Sequence, residues 1–91
     1  MDRVLQLKKI QDDAREVFSN KNKDYGDAFA KYGTIGVLVR IQDKIDRAVN
    51  ITKNKIHLIE DEKLEDTLLD LHNYSAMGLM LISEKKNIQQ K

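Results

Sequence analysis

Apolar residues recur every three or four positions along most of this chain, a spacing that lines one side of an α-helix. Val4, Leu7, Ile10, Ala14, Val17 and Phe18 form the first such stripe, which predicts a helix from about Asp2 to Asn20. Leu38, Ile41, Ile45, Ala48 and Val49 form the second, predicting a helix that starts at Thr34 as N-cap and runs to about Thr52. After a polar connection at 53–57, a third helix is expected from about Asp61 to Lys86, its first turn acidic where the helix dipole favours negative charge. Segment 20–36 holds Gly26, Gly33 and Gly36 together with Tyr25, Phe29 and Tyr32, and it is the region with turn chemistry. With no proline in the chain and no alternating pattern, the expected fold is all-α, a single domain over 1–91 with three to four helices. The tail at 85–91 is expected to fray. Met77, Leu79, Met80 and Leu81 make the late third helix apolar on more than one side, as if it packed both on its own core and on a second subunit.

Composition sharpens this picture. A chain of 91 residues buries only about 60 to 65% of its unfolded surface, so an isolated monomer is marginal. There is no cysteine, which removes disulfides, thiolate metal sites and a catalytic thiol. Two isolated histidines argue against zinc; His72 reads as a partly exposed polar residue and His57 as a solvent-facing one. Self-association, as a dimer or higher oligomer, is the remaining supplement to the core. A net charge of +1 argues against an extended nucleic-acid partner. No apolar run reaches the ~20 residues of a membrane span and the first residues lack a signal-peptide core, so a soluble, cytoplasmic protein is expected.

Two charged stripes carry the candidate chemistry. Glu62, Asp66 and Asp70 recur every fourth residue on the third helix and Asn73 follows, so their side chains project the same way and the like charges repel. Arg40, Asp43, Lys44 and Arg47 line the polar side of the second helix. One reading is a solvated face with an Asp43 to Arg47 pair worth about 0.3 to 0.5 kcal/mol. Another has Arg40 and Arg47 forking onto phosphate oxygens with Lys44 as a point charge, while the acidic row holds a divalent ion. In a third, the two stripes simply pair with each other. The loop residues Lys21, Lys23, Asp24, Tyr25 and Gly26, followed by Phe29, Lys31, Tyr32 and Gly33, allow a base to stack beside phosphate-binding lysines, or they form a turn anchored by aromatic residues, with Gly26 taking a positive φ.

The runs KNKDYGDAF, GVLVRIQDKIDR and EDTLLDLHNYSAMGL, in this order, resemble the nucleotide modification associated domain family, first type. Those are small proteins common in phages and related to the MazG-like all-α nucleoside triphosphate pyrophosphohydrolases. The resemblance spans roughly Lys21 to Leu81. Its most specific pieces are Lys23, Asp24, Tyr25 and Gly26 at one end, and Asp66, Thr67, Asp70, Leu71, Asn73 and Tyr74 at the other. It implies a MazG-like helical fold that oligomerises, with nucleotide sites between the second and third helices, and a host-cytoplasm location if phage-encoded.

Hydrolysis carries over less well. The MazG-like enzymes hold magnesium with EExxE on one helix facing ExxD on the next, whereas this chain has RIQDKIDR, and Lys63 stands three residues before Asp66. Acids are missing and cations gained, which lowers magnesium capacity and raises direct phosphate affinity. The favoured expectation is therefore a protein that binds or sequesters a nucleotide or nucleotide-derived signal without efficient hydrolysis, requiring no cofactor. The alternative is a magnesium-dependent pyrophosphohydrolase using Glu62, Asp66 and Asp70. A helical interaction module without a small ligand is the third reading.

Overall fold

A computed structural model describes residues 1–54 and 58–90, with side chains described over 1–54 and 63–87. Three helices account for nearly all of it, and there is no strand among the described residues: α1 (Arg3–Tyr25), a single 3₁₀ turn (Ala28–Ala30), α2 (Gly33–Lys53) and α3 (Leu58–Gln90). The all-α expectation holds.

Helix α1 begins where Asp2 caps it, the Oδ1 atom accepting from the Val4 and Leu5 amides at 3.0 and 3.3 Å. It runs five residues beyond the expected end at Asn20. Nothing in KNKDY breaks a helix, and termination waits for Gly26, whose φ of 55° turns the chain away while its amide closes on Asn22 C=O at 2.8 Å. The positive φ expected at Gly26 is present. Thr34, in contrast, is not the cap of α2. Gly33 at φ 67° swings the chain straight from the 3₁₀ turn into the helix, which leaves Tyr32 at the cap position without a side-chain bond and Thr34 inside the first turn. Helix α3 begins three residues before Asp61 and continues past Lys86 to Gln90, with no glycine or proline near its end to stop it. His57 lies outside the described residues.

Both α1 and α2 lie antiparallel to α3, which is the spine of the fold. Asn73 meets Ala14 and Asp70 meets Lys21 on one side, while Arg47 meets Thr67 and Lys44 meets Asp70 on the other. Val37 of α2 faces Gly78 of α3, where an added Cβ would sit 3.7 Å from Val37 Cγ1, an ordinary contact. Val37 and Ala14 are the two fully buried apolar side chains among the described residues. The expected inward stripes are thus only partly buried. Val4, Leu7 and Ile10 on α1 and Leu38, Ile45 and Val49 on α2 stay about half exposed or more. The side-chain contacts to α3 sit at Ala14 and Lys21, and the first turns of α1 are exposed among the described residues. A radius of gyration of 15.2 Å exceeds the roughly 12 Å of a compact chain of this length.

Candidate functional site

The central element of the site is Asp70. Its Oδ1 accepts from Lys21 Nζ at 2.7 Å and its Oδ2 pairs with Lys44 Nζ at 3.1 Å. One carboxylate on α3 therefore ties α1 and α2 together. Burial pushes the Asp70 carboxyl up, but hydrogen bonds and charge from Lys21 and Lys44 outweigh that and hold it below its ordinary value of 3.8. It is ionised at neutral pH. One turn earlier, Thr67 is buried with its hydroxyl donating to Lys63 C=O at 2.7 Å and accepting from Arg47 Nε at 3.2 Å. The basic stripe of α2 and the acidic row of α3 thus face and partly pair with each other. The Asp43 to Arg47 pair does not form; Arg40 approaches Asp43 at 4.0 Å instead, because Arg47 is drawn to Thr67.

Above Asp70 a pocket of about 780 Å³ opens between the end of α1, the 3₁₀ turn, the start of α2 and the middle of α3. Phe18, Tyr25, Phe29, Tyr32 and Tyr74 supply aromatic walls, with Val37 and Met77 deeper. These are all five aromatic residues of the chain. Arg40, Lys21 and Asp70 are its charged lining. Tyr25 and Tyr32 are 71% and 70% exposed, so neither anchors a core within this chain. Below Asp70 lies a second pocket of about 380 Å³, where Lys44, Arg47 and Asp66 join Lys21 and Asp70. Lys21 and Asp70 line both, so their ion pair is the wall between the two.

The expected site residues therefore divide. Tyr25, Gly26, Arg40 and Asn73 line the upper pocket; Lys44, Arg47 and Asp66 line the lower one. Lys23 and Asp24 line neither, being exposed on the last turn of α1. Asn73 is turned inward rather than toward a ligand: its amide donates to Ala14 C=O at 2.9 Å, and His72 Nδ1 stands 3.0 Å from its Oδ1. Among the described residues no three carboxylate or histidine side chains gather around one point, and the Glu62 side chain lies outside them. Sequence spacing did not point to Phe18 and Tyr74 as parts of the site. Lys21, expected in a loop beside Lys23 and Tyr25, sits instead on α1, one turn after Val17 and opposite Asp70.

The family model described as nucleotide modification associated domain 1 matches residues 21–82. The chain belongs to this family. The matched stretch starts at Lys21 and ends beyond Met77, so it contains all but one of the aromatic walls of the upper pocket and every charged residue of both pockets. Among curated proteins and solved structures nothing matches the chain.

Proposed function

We propose that this member of the family is a nucleotide-binding protein that holds its ligand in the upper pocket without hydrolysing it. One observation carries the reading: a single pocket collects all the aromatic side chains of the chain and sets Arg40 and Lys21 at its edge. Exposed tyrosines supply π-faces on which any base stacks, worth about 1 to 3 kcal/mol per base, and an arginine fork suits phosphate oxygens. Catalysis is disfavoured by the state of Asp70. Both its oxygens are engaged by ammonium groups, and a magnesium ion there has to displace two positive charges that already satisfy the carboxylate.

Self-association belongs to the same proposal. The chain exposes 7427 Å², against roughly 5,400 Å² for a compact monomer of its mass. The excess is larger than the ~800 Å² that each partner of an ordinary interface covers. Much of it is apolar, including Leu79 at 67% and Ile35 at 69% exposure. A dimer or higher oligomer that covers these residues resolves the excess.

The test is a thermal-shift and calorimetric screen of nucleotides with and without magnesium. Binding that persists in chelator and weakens tenfold or more in Arg40→Ala, the scale of losing a hydrogen bond to a charged group, supports the reading. Magnesium-dependent release of pyrophosphate that is abolished in Asp66→Asn replaces it with the pyrophosphohydrolase. Absence of any nucleotide-induced shift leaves the helical interaction module.

A further inference from the structure

The side of α3 turned away from the other helices carries a pattern of its own. Asp70 marks the inner side, reaching both α1 and α2, with Thr67 flanking it toward α2 and Asn73 toward α1. The upper pocket opens on that same side, through Asp70, Asn73, Tyr74 and Met77. About half a turn round the helix from Asp70 lie Glu65, Leu68, His72, Ser75, Leu79 and Ile82, followed by Lys86. Their spacing alternates strictly between three and four, the repeat that keeps a seam on one side of a helix over many turns. All seven are exposed, Leu68 at 52%, Leu79 at 67% and Ile82 at 42%.

On the self-association reading above, we propose that this seam is where two copies of the chain meet, α3 packing antiparallel on its counterpart about a two-fold axis between His72 and Ser75. The seam is self-complementary in that direction. Leu68 meets the partner's Leu79, His72 meets the partner's Ser75, and Glu65 falls between the partner's Ile82 and the partner's Lys86. The two-fold axis repeats each contact. A parallel pair instead sets Glu65 on Glu65 and Lys86 on Lys86, like charges at both ends. Apolar layers flank a polar centre at His72 and Ser75, and a polar position inside such a seam fixes register at a cost in stability. Leu68, Leu79 and Ile82 of both copies leave water, and both upper pockets stay open because they lie on the other side of α3.

The chain has no cysteine, so introduced cysteines report the geometry without background. Leu68→Cys and Leu79→Cys, both changes at exposed positions of the single chain, are oxidised separately and after co-expression. In the antiparallel seam, equal residues of the two copies lie about 16 Å apart along the axis, beyond the ~7 Å between Cα atoms that a disulfide spans. The co-expressed pair should give a covalent dimer that neither variant forms alone. Dimer formed equally well by either variant alone marks a parallel pair and overturns the proposal. So does the absence of any crosslink when light scattering shows the wild type to be a dimer or larger. Charge reversal is the second arm. Glu65→Lys or Lys86→Glu alone sets two like-charge pairs in the dimer and should raise its dissociation constant about fivefold or more. The double variant restores both pairs between copies and should return to within about twofold of wild type. Within one chain the two positions are ~30 Å apart and cannot compensate each other. Single reversals without effect, or a double variant that adds the two losses, overturn the seam. A wild type that is monomeric at micromolar concentration is a different result, and it removes the self-association reading itself.

Discussion

Replacing Asn73 with alanine tests whether this residue holds the fold or the ligand. Its carboxamide is 6% exposed and bridges α3 to α1 at the Ala14 carbonyl, 2.9 Å away, while Ala14 itself is fully buried. Losing the hydrogen bond costs about 1 kcal/mol net. Ala14 C=O keeps its bond within α1, so no orphaned acceptor adds to that. A residual space of roughly 40 Å³ adds about 1 kcal/mol at about 24 cal/mol per Å³, and the better helix propensity of alanine returns about 0.5 kcal/mol. The net loss is about 1.5 kcal/mol, which for a domain this small lowers the melting temperature by about 6 to 12 °C. Asn73→Leu restores volume without the donor and should lose less than alanine. Asn73→Asp points a carboxylate at the Ala14 carbonyl and should lose more. Melting by circular dichroism, at one protein concentration because self-association makes the midpoint concentration-dependent, gives the order Leu, Ala, Asp. An alanine variant within about 2 °C of wild type, yet impaired in nucleotide binding, would refute the structural role and return Asn73 to the ligand.

Acid should loosen the fold through Asp70. Its folded value lies below 3.8, so its stabilisation is full above that pH and is lost as pH falls through the folded value. The urea midpoint of wild type should exceed that of Asp70→Asn steadily from pH 5 to 7, by about 1 to 2 kcal/mol in stability, and the gap should close in stronger acid; a gap that widens below pH 4 contradicts the pairing. Gly36→Ala would place a Cβ 2.7 Å from Tyr32 Cβ, so it should displace Tyr32, cost about 1 to 3 kcal/mol and weaken nucleotide binding; a neutral variant would mean the start of α2 yields freely. Light scattering at micromolar concentration should give a dimer or larger species, and Leu79→Lys should lower that mass without unfolding the chain. A wild-type monomer would remove the proposed interface.

The helical class and the approximate extent of all three helices are legible in the sequence because period-3 and period-4 apolar spacing is long and uninterrupted. The misses share a cause. Asn20 looked like an end because the next residues are polar, but polarity does not stop a helix; a positive φ does, and Gly26 is the first place that offers one. Thr34 looked like a cap because threonine caps well, but Gly33 had already made the turn. Val37, which is buried, was passed over for its neighbour Leu38, which is 52% exposed. A stripe drawn for one large core picks the larger residue, whereas it is Val37 that faces α3 at Gly78.

The site was harder to read, since its parts come from four segments whose mutual placement no local spacing encodes. Sequence placed the acidic row and the basic stripe but left open whether they meet a metal, a phosphate or each other. The geometry separates these roles along the helix. At Asp70 the stripes pair, and at Thr67 a buried hydroxyl takes Arg47 in place of an acid. Arg40, one to two turns nearer the start of α2 than Lys44 and Arg47, escapes this network and stands among aromatic rings contributed by α1, the 3₁₀ turn, α3 and the residue before α2. A row of like charges that looked costly in isolation is therefore partly an internal fastening. On the nucleotide reading proposed above, what it leaves for a ligand is the Arg40 guanidinium at the edge of an aromatic pocket, and that remainder, rather than the row itself, would carry recognition.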